Sequence, residues 1–203
     1  MNLVTRRGEP YEYLETESGR KLFSVTQIRR MAFDSYRGID PQVLEAARQR
    51  GTLVHRYLWR YLAYRTRIMV DIAPLPGIEG YCQSIREWAD KHEVTAVRLE
   101  HRSLNRKLGY AGTVDAQILY GPKAVLTLMD GKSGVRTCTD MIQLLAYDAM
   151  DDLKSKQLMD VYFQADGGPA KEIMVTARDR ITQWPVFLNV LSLLRWRTTN
   201  DLR

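Results

Sequence analysis

Gly112-Thr113-Val114-Asp115 and, fifteen residues after that aspartate, Asp130-Gly131-Lys132 at the end of the apolar run Ala124-Val125-Leu126-Thr127-Leu128-Met129 decide how this chain is read. In an extended strand side chains alternate faces, so Asp130 and Lys132 point one way and Gly131 the other. If Ala111 to Leu119 is the neighbouring strand of a hairpin, Asp115 comes within a few ångströms of that pair. Two carboxylates and a lysine gathered in this way suit divalent-metal phosphodiester chemistry.

Working outward, Val94 to Glu100 precedes these two segments as a third strand, and Asp140 to Leu153 follows them with Met141, Leu144, Leu145 and Ala149 at helical spacing, capped by Asp140 or Thr139. Upstream, Asp40 and Pro41 open a helix to about Arg65, and the Pro74-Leu75-Pro76-Gly77 break is followed by a helix over Ile78 to His92. Tyr11 to Glu15 and Lys21 to Phe23 flank Ser18-Gly19-Arg20 as a hairpin, and Ser24 caps a short helix, Val25 to Phe33. Downstream, Met159 to Gln164 and Glu172 to Thr176 form a hairpin across Ala165 to Pro169. A last helix covers about Thr182 to Trp196, with Pro185 in its first turn.

These elements predict an α/β (α+β) fold with a central sheet flanked by helices. With 203 residues and no Pro/Gly/Ser-rich linker, one domain is expected over the whole chain. No signal-peptide core and no run near membrane-span length occurs, and Cys82 and Cys138 lack the CxxC spacing of a zinc or redox site. A reduced, cytoplasmic setting is expected, without a membrane partner. The net charge is +6, carried by 22 arginines against 8 lysines, and guanidinium grips phosphate in a bidentate way. Nucleic acid is the partner this surplus suggests, although a solvated Arg-rich surface explains the composition equally well.

Each chemical motif has a plainer alternative. Asp130-Gly131 followed by Lys132 is also ordinary turn chemistry. Gly131-Lys132-Ser133 matches the tail of a phosphate loop, but the first glycine of that motif would fall at Leu126, inside an apolar strand. Glu100, at the end of its strand, is a further hard oxygen ligand or a solvated surface acid. Gln143 and Tyr147, four apart on one helix face, are site residues or a polar flank of the core. His55, at the edge of an apolar helical stripe, is a metal ligand or a packed core histidine.

In chain order, His55, Glu100, Gly112-x-x-Asp115, Asp130-x-Lys132 and Gln143-Leu144-x-x-Tyr147 resemble the PD-(D/E)XK nucleases, in the RecB-like branch that includes helicase–nuclease subunits and the mitochondrial genome maintenance exonuclease. The resemblance covers about residues 24 to 150. It implies a mixed sheet flanked by helices, one or two Mg²⁺ or Mn²⁺ ions on Asp115 and Asp130, and a Lys132 that orients the attacking water or offsets transition-state charge. It also implies that Glu100 and His55 complete the metal site and that Gln143 and Tyr147 hold DNA or the lysine. Two departures stand out. Gly131 occupies a position that is commonly bulky and apolar, and the four iron–sulfur cysteines of the CRISPR-adaptation members are absent.

On this resemblance the chain is expected to be a metal-dependent DNA exonuclease of recombination, repair or phage DNA processing. The alternatives are an endonuclease or a non-catalytic DNA-binding subunit, and the partners are DNA with a second copy of the chain or a helicase. Arg48, Arg56 and Arg60 on the second helix, with Arg98, Arg102, Arg106 and Lys107 near Glu100, would contact the DNA backbone. Tyr110, Trp59 and Trp184 would stack on bases or pack in the core.

Overall fold

The computed structural model describes residues 4–8, 11–15, 21–32, 38–66, 72–150 and 152–199. Three antiparallel strands begin the chain: β1 (Val4–Gly8), unforeseen in the sequence, then β2 (Tyr11–Glu15) and β3 (Lys21–Ser24), with Leu14 opposite Leu22. The expected turn at Ser18-Gly19-Arg20 lies outside the described residues. Helix α1 (Val25–Ala32) starts with a capping box, since Ser24 Oγ accepts the Gln27 N–H at 3.0 Å and Gln27 Oε1 accepts the Ser24 N–H at 3.4 Å.

The long helix α2 (Pro41–Arg65) begins where its residues dictate. Asp40 accepts the Gln42 N–H at 2.7 Å, and Pro41 occupies the first helical position, where its missing N–H costs nothing. Val54, Tyr57, Leu58 and Leu62 form its buried stripe, and α3 (Glu79–Lys91) buries Tyr81, Cys82, Ile85, Trp88 and Ala89 beside it. The central strands follow as β4 (Thr95–Asn105), β5 (Tyr110–Tyr120) and β6 (Val125–Lys132). Glu100 therefore does not end its strand, because β4 continues against β5 to the pair Asn105 and Tyr110.

Two helices have ends other than those expected. Helix α4 (Asp140–Asp148) has Thr139 at its N-cap position and no side-chain capping bond, and it stops before Leu153. The chain leaves the helix there because Met150 and Leu153 are buried in the core as loop residues. After β7 (Gln157–Tyr162) and β8 (Lys171–Met174), helix α5 (Ala177–Thr199) begins five residues earlier than its apolar pattern suggests. Thr176 Oγ accepts the Asp179 N–H at 3.1 Å and Asp179 returns bonds to Thr176, a local cap that periodicity cannot report. Pro185 consequently lies inside the helix.

The eight strands of the described residues join one mixed sheet in the order β1-β2-β3-β5-β6-β7-β8, with β4 on the other edge of β5. Pairing of β3 with β5 and of β6 with β7 is parallel, the latter through the crossover helix α4, and the rest is antiparallel. Helices α2 and α3 cover one face with Val54, Leu58, Ile85 and Trp88, and α1, α4 and α5 cover the other with Ile28, Leu144, Phe187 and Leu191. The fold is thus mixed α/β with helices on both faces. Among the described residues, no helix is long and apolar enough to cross a membrane.

The loop after α4 is tied to β4 through Asp152, which accepts bonds from Ser103 Oγ, from His101 Nε2 at 2.7 Å and from Arg98 Nη1 at 3.3 Å. Partial burial pushes this carboxyl up, but the Ser103 and His101 contacts outweigh it and hold Asp152 below its ordinary value of 3.8. A carboxylate depressed in the folded state contributes stability above the unfolded value, and that contribution disappears as the pH falls through the folded one. Asp152→Asn is expected to cost at most about 1 kcal/mol at neutral pH, as exposed ion pairs do. Urea unfolding at a series of pH values should find the gap to wild type closing as the pH falls below 3.8.

Candidate functional site

The site lies where two strands part. Strand β6 pairs with β5 from Val125 opposite Tyr120 to Met129 opposite Ala116, and beyond Met129 it keeps only β7, which pairs along its other edge from Thr127 to Lys132. On the same edge of β5, β3 reaches only Tyr110 and Ala111. The edge of Gly112 to Asp115 is thereby left between two departing neighbours. The in-out alternation of β5 also slips here: Tyr110 and Val114 belong to the core under α1, α4 and α5, whereas Ala116 and Ile118 belong to the core under α2 and α3. Opposite this slip, Glu100 adopts a φ of 45°, in the left-handed region that a non-glycine residue seldom enters.

Into that opening α2 directs Gly51 and His55, four residues apart on one helix face, and α4 directs Gln143 and Tyr147 in the same relation. The Asp115 carboxylate accepts the Gly131 N–H at 2.8 Å through Oδ2, and its Oδ1 lies 3.1 Å from His55 Nδ1. Asp130 forms an ion pair with Lys132. The Lys132 ammonium also donates to Gln143 Oε1 at 3.0 Å and lies 3.7 Å from Asp140 Oδ1. Gln143 is held in turn, its Nε2 donating to the Tyr147 hydroxyl at 2.9 Å and to Asp130 Oδ1 at 3.5 Å. Arg29 of α1 closes the network by donating to Gln143 Oε1 at 2.7 Å and to Asp140 at 3.4 Å. His55, Asp115, Asp130, Lys132, Gln143 and Tyr147 all line one cleft of about 440 Å³.

Two glycines are fixed by close approach. A Cβ at Gly131 would lie 2.8 Å from Leu58 Cδ2 and 3.3 Å from the Phe163 ring, so the space a bulky residue would fill on this strand is taken by α2. A Cβ at Gly112 would lie 2.8 Å from the Tyr147 ring and 3.2 Å from Val25, because α1 and α4 press on β5 there. The Gly131 departure therefore belongs to a tightly packed strand.

Charge in the cleft is unevenly shared. Burial raises Asp115, but the His55 charge, its hydrogen bond, the Gly131 amide and Lys132 outweigh this and hold the carboxyl below the usual range. Burial raises Asp130, and with the negative charge of Asp115 it prevails over Lys132, so this carboxyl stays above the usual range. Burial would lower His55, yet Asp115 pulls it up to about 9. Burial would likewise lower Lys132, but Asp130, Asp160 and Asp140 raise it. Asp160, buried beside Asp130, is pushed up to about 8, chiefly by burial.

The cleft therefore sets the carboxylates of Asp115, Asp130 and Asp140 against the cations of His55, Lys132 and Arg29. Its carboxylate oxygens are hard donors of the kind a divalent ion takes, and the His55 nitrogen, once deprotonated, is a borderline donor that Mn²⁺ accepts more readily than Mg²⁺. On this donor set the residues present fit Mg²⁺ or Mn²⁺.

Glu100 is not brought to the cleft. It is exposed and does not line it, because the left-handed kink opposite Asp115 accompanies a side chain in solvent. The predicted phosphate-contacting residues are distributed. Arg48 is exposed and paired with Glu45 at 3.0 Å, Arg56 and Arg60 are exposed along α2, and Arg98 is engaged with Asp152. Arg102, Arg106 and Lys107 are exposed on the β4–β5 hairpin, and Arg102 pairs across the strands with Thr113, a residue of the cleft wall. Tyr110 is wholly buried and donates to the Ala146 carbonyl at 2.7 Å, so it packs in the core. Trp184 stacks on Phe187, and Trp59 meets the edge of His55.

Sequence reasoning missed Arg29, Asp140 and Asp160. Asp140 was expected only as a cap, whereas its carboxylate closes the turn by accepting from Thr137 and Tyr162 and also faces Lys132. Asp160 did carry a signal: an acid inside the apolar strand Leu158-Met159-Asp160-Val161-Tyr162. Arg29 carried none, since its partners lie more than a hundred residues away. No family model matches this chain, and the search of curated proteins finds no match either.

Proposed function

We propose that this chain is a divalent-metal-dependent DNA nuclease of the PD-(D/E)XK kind, hydrolysing phosphodiester bonds from DNA ends in recombination, repair or phage DNA processing. The observation that supports this most is the meeting of Asp115, Asp130 and Lys132 in one cleft, where β5 and β6 part. Asp115 and Asp130 would hold Mg²⁺ or Mn²⁺, and a bound ion supplies a water of lowered pKa and an electrophile for the phosphate oxygen.

The remaining work falls to the chain's own groups. Lys132, kept charged by the acids around it, offsets negative charge that gathers on the phosphate as the bond to oxygen forms. Gln143 fixes the direction of that ammonium, and Tyr147 fixes Gln143. The Gly131 amide and His55 orient Asp115 so that its carboxylate does not rotate out of the cleft. Arg29, at the cleft wall, adds a cation that can meet a phosphate oxygen in bidentate fashion.

The test is to incubate end-labelled single-stranded DNA, linear duplex and covalently closed circles with the protein in Mg²⁺ or Mn²⁺, with and without chelator. Mononucleotides or short fragments released from linear DNA, intact circles and complete loss of activity in chelator are expected. Intact DNA in all metal-containing reactions would overturn the reading, and cut circles would replace exonuclease with endonuclease.

A further inference from the structure

Among the described residues, Asp160 is the buried carboxylate of this region without an assigned task. It pairs directly with Asp130 in the parallel β6–β7 register, so both side chains stand on the same face of the sheet. It is 1% exposed, and its Oδ1 has no hydrogen-bond partner. An acceptor left open in the interior is unfavourable, which calls for a group that uses it in some state of the protein.

Lys132 can reach it. Two residues along β6 from Asp130, Lys132 is a diagonal neighbour of Asp160, a relation that long side chains bridge. In this structure the ammonium is seated on Asp130, the carboxylate that the proposed function assigns to a divalent cation. A divalent ion and an ammonium on one carboxylate repel each other, and the acceptor the lysine keeps, Gln143 Oε1, is neutral and shared with Arg29, so the buried ammonium needs another charged acceptor when the ion arrives. Asp140 offers little, since its oxygens already accept from Thr137 N and Oγ, Tyr162 and Arg29. The open acceptor is Oδ1 of Asp160.

We propose that Asp160 is a positioning residue, the second seat of the Lys132 ammonium, taken up when a divalent cation occupies Asp115 and Asp130. This rests on the nuclease reading of that site. It makes Asp160 a partner of cation binding without being a ligand. The lysine stays inside the cleft and charged while Asp130 is released to the ion.

The experiment is a double-mutant cycle read by calorimetric titration with Mn²⁺ in the absence of DNA, using wild type, Asp160→Asn, Lys132→Met and the double variant. Asp160→Asn is expected to weaken Mn²⁺ binding about 10- to 100-fold, the range found when a residue supporting a metal ligand is lost. In the Lys132→Met background the same change is expected to have no effect, because no ammonium remains to be reseated. An equal loss with and without Lys132, or no loss in either, would overturn the second seat while leaving the nuclease reading intact. Wild type that takes up no Mn²⁺ would overturn the nuclease reading itself. Should Asp160→Asn not fold, the wild type still decides: addition of diamagnetic Mg²⁺ is expected to shift both the Lys132 Cε and Asp160 Cγ resonances. An Asp160 signal that stays in place would sink the proposal.

Discussion

Asp130→Asn is expected to lower DNA cleavage by about 10³-fold or more, the scale on which a single preorganised electrostatic contact acts in a buried site, while the protein stays folded. The substitution keeps the shape of the side chain and removes its charge. Burial and the neighbouring Asp115 hold the Asp130 carboxyl above its usual range despite the Lys132 ion pair, so its charge is kept at a cost in the metal-free protein. Neutralising it therefore relieves the metal-free protein, which offsets the loss of the Lys132 ion pair. Cleavage assays and thermal unfolding run side by side check this. Mn²⁺ should raise the melting temperature of the wild type through linkage and leave that of the variant unmoved. Undiminished cleavage by the variant would remove Asp130 from the proposed mechanism.

Gly80→Ala is expected to be the most damaging single methyl on the scaffold. Gly80 is the second residue of α3, and a Cβ there would lie 2.6 Å from the carbonyl carbon of Ala165 and 2.9 Å from the Gly167 nitrogen, both in the turn between β7 and β8. Alanine in a helix normally gains up to about 1 kcal/mol over glycine. Here the obstacle is main chain and cannot rotate away, so α3 or the turn must shift. Because α3 buries Tyr81, Ile85 and Trp88, any shift opens the core beneath it. A net loss of about 3 kcal/mol follows from overpacking of this kind, or a fall of roughly 6–12 °C in melting temperature for a chain of this size. Gly134→Ala is the control: its Cβ would meet nothing within 4 Å and its backbone has no positive φ, so calorimetry should find it unchanged.

Local chemistry made much of this molecule legible in the sequence. Asp40 and Pro41 start α2 where they stand, and the apolar run before Asp130 is a strand with Asp130 and Lys132 on one face. Glu100 was misjudged because β4 continues past it with a left-handed kink, and the main-chain conformation at one residue has no periodic signature. The early start of α5 went unseen for a similar reason, since the Thr176 and Asp179 cap precedes the apolar stripe.

By itself the sequence determined which side chains share a strand face or a helix face, because the repeats of 2.0 and 3.6 residues are properties of the backbone. That was enough to align Asp130 with Lys132, and Gln143 with Tyr147. Only the tertiary structure decided which of those faces meet. The parallel crossover through α4 puts Asp160 beside Asp130, and the packing of α1 brings Arg29 to Gln143 across 114 residues of chain. Parting of β6 from β5 at Asp130 opens the cleft. Such contacts depend on how whole elements bury their apolar surfaces against one another, and no short window of residues contains that information.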